Sequence, residues 1–144
     1  ESKKKKYYAD DIAAACTLGN CTAQKMTVKD GVAWATGKSN DPIVYLTDMV
    51  GQLNGKEVTK ITIGLKWDAS KVSPAQGIFF TTPSGGWAAE RFVKAEKSTE
   101  HENGVTDFVM NVTSNGQFAN TITGLRFDPF DAAQEFGIAY IIIE

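Results

Sequence analysis

One histidine and two cysteines leave this chain of 144 residues little material for metal or nucleophile chemistry. Cys16, Cys21 and His101 cannot complete a tetrahedral zinc site without further ligands. A nucleophilic triad would need His101 beside a serine or cysteine and a carboxylate, whereas a lone histidine in a loop-forming stretch reads as surface. No phosphate-cradling glycine loop or dinucleotide fingerprint is present, so no cofactor is expected. No apolar run approaches the roughly 20 residues that span a bilayer. The closing Ile141-Ile142-Ile143 is far too short for that and reads as a strand buried on both faces. A formal net charge of −2 gives no global attraction to nucleic acid or to anionic membranes, so neither is expected as a partner.

Paired carboxylates are the next candidates for chemistry. Glycoside cleavage needs two of them roughly 5 to 9 Å apart in a cleft, one with a raised pKa. Asp128 precedes Pro129 and reads as turn formation, with Asp131 just beyond it. Glu100 and Glu102 flank His101 before Asn103-Gly104 and read as a hairpin tip, and Asp10 and Asp11 fall in a short helical stretch near the N-terminus. Each pair is better explained by structure than by catalysis, and no enzymatic activity is expected. Cys16 and Cys21, with four residues between them, are either a disulfide closing a small loop or two inert thiols. The disulfide would contribute about 2 kcal/mol by chain entropy and is the favoured option, which points to an extracellular setting.

What the sequence does contain is a succession of short β-forming runs broken by turn residues. Asp30-Gly31, Asn54-Gly55, Asn103-Gly104 and Asn115-Gly116 favour positive φ and mark tight turns, while Asp41-Pro42, Ser73-Pro74 and Ser84-Gly85-Gly86 add further breaks. The runs between them are 24–29, 32–36, 43–47, 58–67, 77–82, 88–95, 106–112, 121–127 and 137–143. Several alternate with period two: Ile61, Ile63, Leu65 and Trp67 share one face, as do Phe108, Met110 and Val112. Only Tyr8 to Ala15 looks helical. About nine strands at regular spacing predict an all-β fold of two packed antiparallel sheets. Residues 1–22 are expected to be an N-terminal linker and lead-in, with Lys3 to Lys6 as its solvated end, and 23–144 the β domain. The chain begins at Glu1 without a leader pattern, which suggests a mature fragment or an excised module.

Three stretches together resemble the galactose-binding-like jelly roll of carbohydrate-binding modules in extracellular bacterial polysaccharide-degrading proteins. The first is Lys29-Asp-Gly-Val-Ala-Trp-Ala-Thr-Gly37 followed by Asn40-Asp-Pro42. The second is Gly77-Ile-Phe-Phe-Thr-Thr82 with Glu90 after it, and the third is Ile122-Thr-Gly-Leu-Arg-Phe-Asp-Pro129 with Ile138-Ala-Tyr-Ile141. The resemblance spans roughly Val28 to Glu144. Phe118 stands where such modules commonly carry tryptophan before the third stretch, and Ala139 where aspartate is usual. The resemblance implies a jelly-roll β-sandwich and non-catalytic polysaccharide binding, tethering a larger secreted or surface-attached bacterial protein, often glycoside hydrolase-associated, to a plant or microbial glycan. Covalently linked catalytic or anchoring modules would be its partners. It also implies a structural calcium near the termini, for which the sequence offers no dedicated loop and no assignable ligands. The alternatives are a structural or protein-interaction module without a sugar site, and a small polysaccharide lyase or hydrolase.

A sugar site needs flat aromatic surfaces beside hydrogen-bonding groups. Trp87 follows Ser84-Gly85-Gly86 and is either a sugar platform or a cap over the core. Trp34 lies on a strand between Ala33 and Ala35, where core packing competes with ligand contact, and Trp67 continues an apolar face and reads as core. Arg126 alternates with Leu125 and Phe127, so it points outward, either to grip a ligand or to pair with Glu90 or a neighbouring aspartate. Arg91 invites the same two readings. Tyr45 adds a hydroxyl and an aromatic face; Phe79 and Phe80 point to opposite faces. Phe118 joins the candidate ligand residues only through its place in the family pattern.

Overall fold

The computed structural model describes residues 4–71 and 76–144. Lys3 and the Ser73-Pro74 break lie outside the described residues. In chain order the elements are β1 (Lys5–Tyr8), α1 (Ala9–Ala15), β2 (Thr17–Gly19), β3 (Thr27–Lys29), β4 (Val32–Thr36), β5 (Ile43–Tyr45), α2 (Thr47–Val50), β6 (Leu53–Asn54), β7 (Ile61–Trp67), β8 (Gly77–Thr81), β9 (Phe92–Glu100), β10 (Thr106–Met110), β11 (Thr121–Ile122), β12 (Gly124–Asp128) and β13 (Glu135–Ile143). The fold is all-β, as the alternating runs require. Each of the nine expected runs contains a strand. The larger number observed comes from three short additions, β1, β2 and β6, and from a break at Thr123 that splits 121–127 into β11 and β12.

All pairings are antiparallel, and one order runs β2-β5-β12-β8-β9-β10-β7-β13-β4-β3, with β1 added on β13. The pairing is continuous because β9 serves two neighbours in succession: Phe92–Lys94 face β8, and the stretch from Ala95 onward faces β10. The sheet therefore curls around a single core. Ile61, Ile63 and Leu65 of β7, Ile78 and Phe80 of β8, Leu125 and Phe127 of β12, and Phe136 and Ile138 of β13 all meet in it. Residues that alternate with these point away from the core. β6 and β11 form a separate two-stranded ribbon.

The turn chemistry divides the four Asx-Gly pairs. Asp30 and Gly31 both take positive φ (53° and 74°) and close the β3–β4 hairpin, the geometry that a two-residue turn demands. Gly104 (φ 87°) closes β9–β10. Asn54 and Asn115, expected at tight turns, instead start 3-10 turns, because their side-chain oxygens accept from the backbone N–H two residues on, of Lys56 and Gln117, at 3.1 and 3.0 Å.

From Lys5 onward the N-terminal stretch is part of the domain rather than a linker. Lys5 to Tyr8 pair with Ile143 to Tyr140, leaving the lysine side chains in solvent, and the following α1 buries Ala9 and Ile12. Cys16 and Cys21 are free thiols, not a disulfide. Both lie in the core with different neighbours: Cys16 Sγ is 3.8 Å from Met49 Sδ, while Cys21 makes an isolated backbone β-bridge with Gly37. Burial pushes the Cys16 thiol up to about 12 and raises Cys21 as well. The closing isoleucines alternate, Ile141 and Ile143 inward and Ile142 only half-buried, in place of burial on both faces.

Two outcomes check this arrangement. Ile12→Ala should cost about 2–5 kcal/mol in denaturant unfolding, the usual range for a fully buried isoleucine, whereas a linker residue would cost nothing measurable. Thiol titration without reductant should find both cysteines, unreactive in the native protein and reactive once it is unfolded.

Candidate functional site

The outward side of the β5–β12–β8 region carries a row of side chains set by strand register. Tyr45 pairs with Arg126, Arg126 with Phe79, and Phe79 with Phe92, so the four lie side by side across four strands. Their inward neighbours Val44, Leu125, Phe127, Ile78 and Phe80 are fully buried, which fixes the outward direction of the row. Phe79 and Phe92 pack with ring centroids 4.7 Å apart. The Arg126 guanidinium sits 4.5 Å from the Phe79 ring centroid and 5.3 Å from that of Trp87, a cation held over two aromatic faces.

Trp87 itself is 42% exposed, the most open tryptophan-sized surface on the chain's described part, and its ring lies 6.5 Å from that of Tyr45. It has room because of Gly124: a Cβ there would stand 3.2 Å from the indole. The loop that presents it is held tightly. Thr82 and Gly85 exchange backbone hydrogen bonds of 2.9 and 3.2 Å. The Arg91 side chain, 13% exposed, runs beneath Gly85, donates from Nε to the Gly86 carbonyl at 2.6 Å, and donates from Nη1 to Gln117 Oε1 at 2.9 Å. Asn115 Nδ2 donates to the carbonyls of Glu90 and Phe92, both at 3.0 Å. Residues 88–91, expected as strand, form a turn in which the Arg91 N–H donates to the Ala88 carbonyl at 3.0 Å and the Glu90 carbonyl accepts from Asn115.

Below the row lies a buried ion pair. Arg126 Nη2 donates to Asp128 Oδ2 at 3.1 Å, with the Asp128 side chain only 4% exposed. Arg126 Nε and Asp128 Oδ1 meet no hydrogen-bond partner among the described residues. Burial, opposed by Arg126 and reinforced by the neighbouring Asp41 carboxylate, raises the Asp128 carboxyl to about 7. Asp128 is thus more than a turn former. The sequence carried the signal, since Arg126 and Asp128 are two apart on a strand and must share a face.

The expected ligand residues therefore separate. Trp87, Tyr45 and Arg126 come together. Arg91 lies behind the loop as its brace. Phe118 is buried at 1% exposure, edge-on to Phe80 at 4.9 Å, so the family-pattern position is filled by a core residue. Trp34 is elsewhere, on the outward side of β4, paired with Gly137. Trp67 packs against the core, 5.6 Å from Phe108. Phe92 and Gly124 were not singled out by sequence, because their role depends on cross-strand register.

One further cluster lies on the outward side of β7–β10–β13. Tyr140 lies over Gly64 and its hydroxyl donates to Asp107 Oδ1, while His101 Nε2 is 3.1 Å from Asp107 Oδ2. Burial and the Asp107 carboxylate push the Tyr140 phenol up. The cluster ties the β9–β10 hairpin to β13. Glu100 pairs with Lys97 at 3.2 Å, and Glu100, His101 and Glu102 are all exposed. Among the described residues, no group of three or more His, Cys, Asp or Glu side chains is placed to hold a metal ion.

The raised Asp128 pKa has a stability consequence. The folded protein keeps this proton to about pH 7, while the unfolded chain, at the ordinary value of 3.8, releases it earlier. The folded state therefore binds more protons over that window, and its stability falls as pH rises through it. Between pH 5 and pH 8 the wild type should lose about 1–3 kcal/mol relative to Asp128→Asn in urea unfolding, and parallel pH profiles would place Asp128 as ionised throughout. The chain matches no protein-family model, no curated protein and no solved structure.

Proposed function

We propose that this protein is a non-catalytic carbohydrate-binding module, a jelly-roll β-sandwich of the galactose-binding-like kind whose two sheets are the halves of the curled sheet joined at β9. The observation that carries the reading is Trp87: a 42% exposed indole, propped by Tyr45 and Arg126 on a braced loop. Burying an indole is favourable by about 2–3 kcal/mol, so a rigid scaffold that keeps one in solvent forgoes that gain unless a ligand later covers it. A pyranose ring supplies the complementary face of C–H groups, with hydroxyls at its rim for the Tyr45 hydroxyl and for the polar loop.

In this reading Trp87 and Tyr45 touch the sugar. Arg126 is a positioning residue: with its side chain 16% exposed and Nη2 committed to Asp128, it holds the indole rather than gripping the glycan. Phe79 and Phe92 extend the apolar floor. The 42% exposed indole beside Tyr45 would suit a polymer that continues past it on both sides. The module's contribution would be concentration, since a tethered partner meets its substrate at a raised effective level. The wider protein would be secreted or displayed on the cell surface, a setting that rests on the resemblance alone now that the cysteines are thiols.

Trp87→Ala should lower affinity for a bound polysaccharide by at least about tenfold, or 1.4 kcal/mol, in affinity electrophoresis or calorimetry. Its unfolding midpoint should fall only modestly, because Trp87 lies at the surface and is already 42% exposed. Unaltered glycan binding by a folded Trp87→Ala protein would end this proposal.

A further inference from the structure

Trp34 lies on the outward side of the sheet half that the Trp87 face does not use. Its strand, β4, contributes Ala33 and Ala35 to the core, so Trp34 between them points outward. Across the ladder it pairs with Gly137 of β13, which in turn pairs with Lys66 of β7. A Cβ on Gly137 would stand 3.1 Å from Cδ2 and Cε2 of the indole, so the ring lies against bare backbone. This is the same device that seats Trp87 over Gly124.

Two clefts meet at this indole, of about 540 and about 320 Å³. They share Trp34, Lys66 and Glu135 in their walls. Both volumes fall in the range of roughly 300–1,000 Å³ of small-molecule sites. The walls hold balanced charge: Lys29, Lys66 and Lys71 against Asp30, Asp68 and Glu135, three of each sign. Such a site offers an ionic ligand no net attraction. It offers an apolar plate ringed by donors and acceptors, the complement of a neutral ligand with a C–H face and a hydroxyl rim.

We propose that the cleft around Trp34 is a second binding site, for a neutral saccharide, independent of the Trp87 face and directed away from it. The inward residues of both halves share one core, so the two indoles face opposite ways and engage separate chains or separated segments of one chain. The module is then a cross-linker of glycan.

The three tryptophans make the test direct, because each indole N–H gives its own resonance in a nitrogen–proton correlation spectrum of the wild-type protein. Assignment comes from W34F, W67F and W87F. Titrations use cello-, xylo- and manno-oligosaccharides as neutral probes and oligogalacturonate as the acidic one. A neutral oligosaccharide should shift the Trp34 resonance saturably, with a midpoint unchanged between low and high salt and raised at least tenfold by Lys66→Ala or Glu135→Ala. W87A should leave that midpoint in place. A Trp34 resonance that stays still while Trp87 moves overturns the second site and spares the first. Movement of Trp34 alone supports the second site and removes the Trp87 reading. Silence of both with every neutral probe overturns both, and a Trp34 shift seen only with oligogalacturonate and lost in salt overturns the neutral class.

Discussion

Strand β13 is the constraint around which the sheet is organised. One of its edges is paired along nearly its whole length with β7, and the other is shared end to end by β4 and β1. Its inward residues must therefore meet a fixed core, yet Phe136, Ile138, Ile141 and Ile143 do not keep a period of two. A register shift between Ile138 and Tyr140 resolves the conflict: Ala139 is the extra residue of a bulge. Past the bulge Tyr140 turns outward to Asp107 while Ile141 returns to the core. Without it, either the isoleucines or the tyrosine would face the wrong side. The same strand supplies Gly137, whose missing side chain makes room for the Trp34 ring, so core packing on one side of β13 determines what its other side can present.

The second organising element is the Arg126–Asp128 pair. Taking two charges out of water costs several kcal/mol per ion unless their partners are complete, and Arg126 Nε and Asp128 Oδ1 lack partners among the described residues. A fully ionised pair in that setting is expensive, which is why the Asp128 carboxyl holds its proton to about 7. The pair is better understood as fixing geometry than as adding stability. Held at Asp128, the guanidinium becomes a flat cationic shelf between Phe79 and Trp87, and the indole is oriented by that shelf below and by Arg91 behind its loop.

Much of the β architecture was legible because it rests on local pattern. The alternation in Ile61 to Trp67 and in Leu125 to Phe127 determines which side chains face in, and Asp30-Gly31 dictates its hairpin. Helix α1 was also readable at Tyr8 to Ala15. What could not be read depends on contacts between distant residues. Lys5 to Tyr8 look like a solvated tail, and only the open edge of β13 makes them a strand. Asn54-Gly55 and Asn115-Gly116 look like tight turns, but side-chain capping competes successfully with positive φ. Cys16 and Cys21 are near in sequence, and tertiary seating keeps them as separate thiols. Of the candidate site, the outward direction of Arg126 followed from alternation. The gathering of Tyr45, Arg126 and Phe79 into one row follows only from register.

Two exposed or half-exposed indoles, each seated on a glycine, raise the question of why a small sheet would keep both in solvent. Two sites on one face would tighten the hold on a single chain, because the second contact would form at high effective concentration. Sites on opposite outward faces cannot do so with a stiff chain that does not wrap around the domain, since avidity is lost where geometry forbids simultaneous engagement. Such an arrangement gains by joining chains that are already close, as in a swollen polysaccharide matrix, where one face holds a strand and the other meets its neighbour. On the two-site proposal each site could then be weak and exchange rapidly while the domain stays in the matrix. On the two-site proposal, the 42% exposure of Trp87 and the charge-balanced walls around Trp34 would both suit that regime, since an open indole does not enclose a ligand and balanced charge does not draw one in by long-range field.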